Sequence, residues 1–251
     1  MTSALAPGLD GAGLALLAGA AVVAGLVRGF AGFGSALIFM PFAGMVLPPF
    51  SALAVLATMD LVGPIPNLPR AWREGAPKEV AWMGLGLIAT LPLGYLVLAA
   101  IPVAAFRTAV SLIALALLGL LISGWRHDLP ASRPVLSAAG AVSGFLTGST
   151  GIAGPPVILF LMAGRRTAAD VRANLLLYLF LVDVGTLALM ALVGRLSWSA
   201  VLVGAGLIVP FTLANIAGAA MFRPGRERLY RRIANVIIAA SALAGLPIWG
   251  G

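Results

Sequence analysis

The sequence predicts an all-α polytopic membrane protein. Of its 251 residues, 61% are hydrophobic and only 10% are charged, whereas a soluble domain carries roughly a quarter charged residues. The apolar stretches are continuous and rich in Leu, Ala, Val and Gly, unlike the alternating strands of an outer-membrane barrel. Helices are therefore expected to span the membrane, because a helix satisfies its own backbone hydrogen bonds. We expect residues 1–251 to form a single transmembrane domain.

Charged residues and clusters of Pro and Gly divide the chain into ten apolar segments. Their approximate bounds are 11–30, 34–48, 50–69, 79–100, 103–123, 134–148, 152–163, 173–193, 198–221 and 229–248. A full crossing needs about 20 apolar residues, and the second, sixth and seventh segments are shorter. We expect these three to be broken or re-entrant half-helices. No Lys or Arg precedes the first segment, which argues against a cleaved signal peptide.

The basic residues indicate how the chain is oriented. Most of them follow odd-numbered segments, namely Arg70, Arg73, Lys78, Arg126, Arg133, Arg165, Arg166, Arg172, Arg223, Arg226, Arg228, Arg231 and Arg232. Because basic loops stay in the cytoplasm, we predict a protein of the cell inner membrane with both termini on the periplasmic or extracellular side. The net charge of +8 is scattered along the chain, so we expect contact with membrane lipids and no binding of nucleic acid.

Two sequence offsets relate the halves of the chain. A shift of about 115 residues aligns Gly25, Gly29, Phe30 and Pro41 with Gly140, Gly144, Phe145 and Pro156. A shift of about 123 aligns Asp60, Gly94 and Arg107 with Asp183, Gly218 and Arg231. Each half holds five segments, so we predict two inverted-topology repeats, at about 11–125 and 133–249. Such repeats with interrupted helices are typical of secondary transporters that bind substrate near the midplane.

A glycine-rich break occurs at matching places in the two halves. The stretches are RGFAGFGSALIFMP at 28–41 and SGFLTGSTGIAGPP at 143–156. We expect a new helix to begin near Phe33 and Gly34, and another near Thr150 and Gly151. Free N–H groups and the helix dipole make a helix N-terminus an anion site. We therefore expect both helix ends to face one small cavity near the midplane that holds an oxyanion, the main partner of the protein.

The candidate substrate-binding residues lie in and around these breaks. They are Arg28, Gly29, Gly32, Phe33, Gly34, Ser35, Gly144, Thr147, Gly148, Ser149, Thr150 and Gly151. The hydroxyls would donate hydrogen bonds, and the Phe33 ring would form an apolar wall or gate. The alternative is that the glycines serve close helix packing.

Two acidic residues lie well inside apolar segments, and one basic residue stands just before the first break. Asp60 and Asp183 occupy equivalent repeat positions, and a carboxylate at membrane depth is a functional hypothesis by default. They are candidates for coupling transport to protons, the alternative being a static hydrogen bond between helices. Arg28 precedes the first break, where it has three alternative roles: to attract or bind an anion, to reach toward the interface, or to pair with Asp60.

Other classes of function are disfavoured. The chain has no cysteine, which excludes disulfides and thiolate metal sites. A membrane-embedded hydrolase would need a base beside its nucleophile, and the only histidine, His127, lies in a charged loop. We predict no enzyme activity, no cofactor and no metal site. An anion channel on the same scaffold stays open, and so does the oligomeric state, including a homodimer.

The motifs GFAGFGSALIFMP and GFLTGSTGIAGPPVILF, together with Gly94 and Gly218, resemble the sulfite exporter TauE/SafE family of membrane permeases. The resemblance extends over residues 14–246 or so. It implies transport of small sulfur-containing or organic anions, such as sulfite, sulfoacetate or another organosulfonate, across the cytoplasmic membrane. It places the substrate region at 29–35 and 144–151. Relatives that move thiosulfate through cysteines are excluded as models, because this chain has none.

Overall fold

The computed structural model describes residues 9–124, 131–163, 167–221 and 227–248. All regular structure within these ranges is helical, which confirms the predicted all-α fold. The helices are α1 (Gly11–Ala31), α2 (Ser35–Val46), α3 (Pro49–Val62), α4 (Leu68–Glu74), α5 (Pro77–Ala100), α6 (Val103–Ile122), α7 (Arg133–Thr150), α8 (Gly154–Ala163), α9 (Ala168–Leu192), α10 (Trp198–Met221) and α11 (Glu227–Gly245). A 3-10 turn at Ile65–Asn67 precedes α4. Outside the described residues lie Arg126, His127, Arg165, Arg166, Arg223 and Arg226.

Several helices are able to cross a membrane. Among the described residues, α1, α5, α6, α9 and α10 are each long and apolar enough to do so. α3 and the segment Ile65–Glu74 together qualify as one further span, bent by 45° at the break between them. The chain is therefore a multi-pass membrane protein. α2 has 12 residues and α8 has 10, so both are shorter than a full span.

The predicted helix bounds agree with the structure at the first break and fail at the second. Pro41 lies inside α2 without ending it, and α2 begins at Ser35, close to the predicted start at Phe33 and Gly34. The sixth segment was expected to be short, over 134–148, but α7 extends for 18 residues through Thr150. Its successor α8 starts only at Gly154. The prediction of a helix start near Thr150 and Gly151 is therefore wrong by three to four residues.

Two helix pairs approach very closely, α1 with α10 and α5 with α7. A Cβ atom on Gly25 or Gly29 would collide with the backbone of α10. One on Gly140 or Gly148 would collide with the backbone of α5. In a membrane, where packing contacts drive helix association, residues without a side chain let backbones come together. The glycines that align between the two halves therefore make helix contacts.

The neighbours of each helix correspond between the two halves. α1 packs on α10 as α7 packs on α5, and α3 packs on α10 as α9 packs on α5. α3 also packs on α9, and α6 packs on α11. Two repeats related by symmetry would have matching helix neighbours of this kind. The inverted repeat itself stays a prediction. The α3–α9 contact joins the two halves, and these helices bear Asp60 and Asp183.

Candidate functional site

The first break is a sharp reversal between α1 and α2. Gly32 and Gly34 have φ angles of 82° and 100°, which residues with a side chain rarely adopt. The reversal sends α2 back along α1. Val27 of α1 lies 3.7 Å from the position of a Cβ on Gly34, and Val46 of α2 lies 3.6 Å from that of a Cβ on Gly13. The break is therefore at the far end of α1 from its N-terminus.

The N-terminus of α2 is left open at this break. Its N-cap is Gly34, which has no side chain to accept a hydrogen bond. The first backbone bond of the helix runs from the Ile38 N–H to the Gly34 carbonyl, at 3.2 Å. The N–H groups of residues 35–37 precede that bond and are the donors that a helix start leaves for an external partner. Residues 32–34, which directly precede these donors, are only half-buried.

A buried ion pair lies directly beside this helix start. The guanidinium of Arg28 pairs with the carboxylate of Asp60, which is near the end of α3. The Ser35 hydroxyl donates to Asp60 Oδ2 at 2.8 Å and accepts from Arg28 Nη1 at 3.1 Å. The Phe211 ring of α10 lies 5.9 Å from the guanidinium carbon. Three roles were considered for Arg28. In the structure its guanidinium pairs with Asp60.

Asp183 of α9 adjoins this ion pair from the other half of the chain. It is 7% exposed, and its charge interacts with those of Asp60 and Arg28. Within the described part of the chain, Asp183 Oδ2 and Asp60 Oδ1 are buried and have no hydrogen-bond partner. The two acids that the sequence aligns thus meet at the α3–α9 contact. We call Arg28, Ser35, Asp60 and Asp183 the Arg28 cluster.

The depth of the Arg28 cluster follows from the helix lengths. Asp60 is roughly 16 Å along α3 from Pro49, at a rise of about 1.5 Å per residue. A bilayer core is about 30 Å thick, so this distance is close to half of it. Asp183 lies well inside α9, several turns from both of its ends. Arg28, Ser35 and Asp60 therefore lie at helix ends that meet inside the bilayer core, whereas Asp183 lies within a continuous helix.

A second cation, Arg172, lies beside the first break. It was not among the predicted site residues. Arg172 Nε is 3.6 Å from the position of a Cβ on Gly32, and the Arg172 side chain is exposed. The sequence had suggested only a cytoplasmic loop charge, since Arg172 stands near Arg165 and Arg166. Nothing in its local pattern signals a contact with a residue 140 positions earlier.

The second break differs from the first. The hydroxyls of Thr147, Ser149 and Thr150 donate to carbonyls of their own helix at 2.6 to 2.8 Å, and they lie at the C-terminal end of α7. The sequence had predicted a helix N-terminus near these hydroxyls, and the structure instead has the end of a helix there. α8 then opens with Gly154-Pro155-Pro156, and the two prolines lack the N–H groups that an anion would need. Gly144 and Gly148 pack against the backbone of α5.

The N-terminus of α2 and that of α8 do not lie at the same level along α2. Gly151, in the second break, packs on Met40, with Met40 Cε 3.0 Å from the position of a Cβ. Met40 lies roughly 7 Å along α2 from its first residue. Residues 151–155 are buried, whereas 32–34 are half-buried. The structure thus groups Arg28, Gly32, Phe33, Gly34 and Ser35 at the first break and places the other candidates elsewhere; substrate binding by either group stays a prediction.

Comparison with known protein families identifies the chain. Residues 17–245 match the family model described as Sulfite exporter TauE/SafE, so the match covers nearly all of the sequence. The chain belongs to the sulfite exporter TauE/SafE family. Neither the curated proteins nor the solved structures give a match. Membership in the TauE/SafE family, together with the membrane-spanning helices, indicates a membrane transporter of sulfur-containing anions.

Proposed function

We propose that this TauE/SafE protein is a secondary transporter that carries sulfite, sulfoacetate or another organosulfonate across the cytoplasmic membrane. The observation that carries the proposal is the uncapped N-terminus of α2 beside the buried Arg28. Substrate would bind there, between residues 32–35 and the guanidinium. Family membership supports the class of anion, and the site geometry supports the place where it binds.

The chemistry of this place suits a sulfur oxyanion. Sulfite and sulfonates have three oxygens that accept hydrogen bonds, and the first turn of α2 presents several N–H donors that point the same way. The planar guanidinium of Arg28 is suited to binding two oxygens at once. Arg172 would attract the anion toward the break by its charge. Phe33, half-buried and packed against a cluster of buried apolar side chains from α4, α5, α7, α8 and α9, would close the site on its apolar side.

The difference between the two breaks supports a transport cycle. We infer that the half-buried first break and the buried second break belong to one of two states of an inverted-repeat transporter. In the opposite state the second break would open, and Gly144, Thr147, Gly148, Ser149, Thr150 and Gly151 would then approach the substrate. Since Arg172 lies near the start of α9, shortly after the basic residues Arg165 and Arg166, the first break would face the cytoplasm. The corresponding helix neighbours of the two halves support this view.

The test is flux in proteoliposomes. The full chain is reconstituted, and movement of sulfite, sulfoacetate, methanesulfonate and acetate is followed, with protein-free liposomes as the background. We expect saturable flux of at least one sulfur anion and little movement of acetate. Large currents that do not saturate would identify a channel instead. If none of the sulfur anions moved, the proposed function would be wrong.

A further inference from the structure

Asp60 holds the two side-chain donors that lie beside the N-terminus of α2. Its Oδ2 atom accepts from both Arg28 Nη1 and the Ser35 hydroxyl, and Ser35 is the first residue of α2. A sulfonate bound at the N-terminus of α2 would use the same two donors. A carboxylate of the protein and an oxygen of the substrate therefore cannot both hold Arg28 in this way. Binding of an anion implies that Asp60 gives up at least part of this pair.

We propose that the substrate anion displaces Asp60 from Arg28 and that the carboxyl pair of Asp60 and Asp183 takes up a proton at the same time. Anion and proton then bind together and cross the membrane in the same direction. This inference rests on the proposed function and adds the coupling ion, the residues that hold it and the reason for coupling. The proton comes from water, so the step needs no other reactant.

The charges of the cluster give the physical reason. With its acids ionised the cluster has one positive and two negative groups, and all of them are buried. A monovalent anion alone would add another negative charge where solvation is poor, which is costly. An anion together with one proton leaves the total charge unchanged. Coupled binding therefore avoids the electrostatic cost that anion binding alone would carry.

The surroundings of Asp183 leave the proton no other acceptor with a charge. Within the described helices, the groups that act electrostatically on Asp183 are Asp60 of α3 and Arg28 of α1. Besides α3, the helices packed on α9 are α4, α5, α7 and α8. The charged residues of these helices and of α9 itself, none of which is among the groups that act on Asp183, are Arg70, Arg73, Glu74, Lys78, Glu79, Arg133, Asp170 and Arg172. Asp60 Oδ1 and Asp183 Oδ2 are buried oxygens without a hydrogen-bond partner among the described residues, so each acid has an oxygen at which a proton can be held.

The first experiment measures proton uptake on anion binding by the purified full-length chain. Methanesulfonate is added in weakly buffered detergent solution, because it stays ionised near neutral pH and any proton taken up belongs to the protein. We expect close to one proton per bound anion and an affinity that falls as pH rises, by up to roughly tenfold per pH unit. Sulfite serves as a second probe, with its own protonation subtracted by a protein-free titration.

The outcomes separate the two proposals. Binding of methanesulfonate or sulfite without proton uptake overturns the coupling inference and leaves the transporter proposal intact. Failure of both anions to bind, and of all sulfur anions to move in proteoliposomes, rejects the transporter proposal and the coupling inference with it.

Variants then locate the proton. We expect Asp60→Asn to bind methanesulfonate with an affinity that no longer depends on pH, and to lose proton uptake. Asp183→Asn should also lose uptake. Asp10→Asn is the matched control, since Asp10 caps α1 at an exposed position and Asn caps a helix equally well. A size-exclusion profile checks that each variant is folded. Full proton uptake in both Asp60→Asn and Asp183→Asn would overturn the assignment to these acids.

Discussion

Ser35 shows how one hydroxyl can organise a buried charge pair. It donates to Asp60 and accepts from Arg28, so it satisfies groups on both partners while it begins α2. The side chain is 5% exposed, and water cannot replace it easily. Hydrogen bonds to charged groups are stronger than those between neutral groups. The loss of this hydroxyl should therefore be felt in stability.

We expect Ser35→Ala to lower the free energy of unfolding by about 1.5 to 3 kcal/mol, the usual range for hydrogen bonds to charged groups. Ser241→Ala is the control, since Ser241 is equally buried but donates only to the Ile237 carbonyl in its own helix. Denaturant unfolding in detergent measures both. Equal losses for the two variants would contradict the bridging role of Ser35.

Removal of one partner of the Arg28–Asp60 pair should lower the free energy of unfolding far more than replacement of both partners. Removal of one partner leaves an uncompensated buried charge, so we expect Asp60→Leu alone to destabilise the protein by roughly 3–5 kcal/mol. The double variant Arg28→Met, Asp60→Leu removes both charges and should recover most of this loss. It should nevertheless carry no sulfite in proteoliposomes. Transport by a stable double variant would show that the pair serves the fold alone.

At the scale of elements, the sequence predicted α2 well and α8 poorly. The start of α2 follows from Gly32 and Gly34, because positive φ angles end α1 and admit no other residue easily. In the second half, the helix ends where Gly151 adopts a φ angle of 78°, so α7 continues two residues past its expected end at residue 148. The Pro155-Pro156 pair was a usable signal, since prolines favour the first turn of a helix and remove its donors.

Other features of the site could not be read from local sequence. The contact of Arg172 with Gly32 depends on how α9 packs, and no spacing rule connects positions so far apart. Asp60 and Asp183 were aligned as equivalent repeat positions, but their proximity follows only from the contact between α3 and α9. The alternative role of the glycines was close helix packing. The structure shows this role at Gly29, Gly144 and Gly148, each of which lies against the backbone of a neighbouring helix.

The first break gives a direct test at the scale of one element. We expect Gly34→Leu to abolish sulfite transport, because a side chain is strained at φ 100° and would alter the start of α2. Gly206→Leu is the matched control, since Gly206 is exposed on α10 with open space around a Cβ position. Membrane insertion is checked by the yield of extracted protein. Normal flux through Gly34→Leu would place the substrate away from this break.

At the scale of the whole molecule, the two breaks differ in access. Phe33 is half-buried, whereas Ile152 in the second break is fully buried. A transporter that alternates between two states must expose its site to one side at a time. The structure would then correspond to the state in which the first break is accessible. In the proposed orientation, the basic residue Arg172 beside the first break would place that side at the cytoplasm.

The chain has no cysteine, so single cysteines can report this access without background labelling. We expect Phe33→Cys to react with a membrane-impermeant maleimide in inside-out vesicles and to resist it in right-side-out vesicles. Ile152→Cys should react much more slowly from the cytoplasmic side, because its side chain is buried there. Saturating sulfite should slow the labelling of Phe33→Cys if the anion binds at the first break. Labelling of Phe33→Cys from the outer side alone would reverse the proposed orientation, and equal labelling of both cysteines from the cytoplasmic side would contradict a difference in access between the breaks.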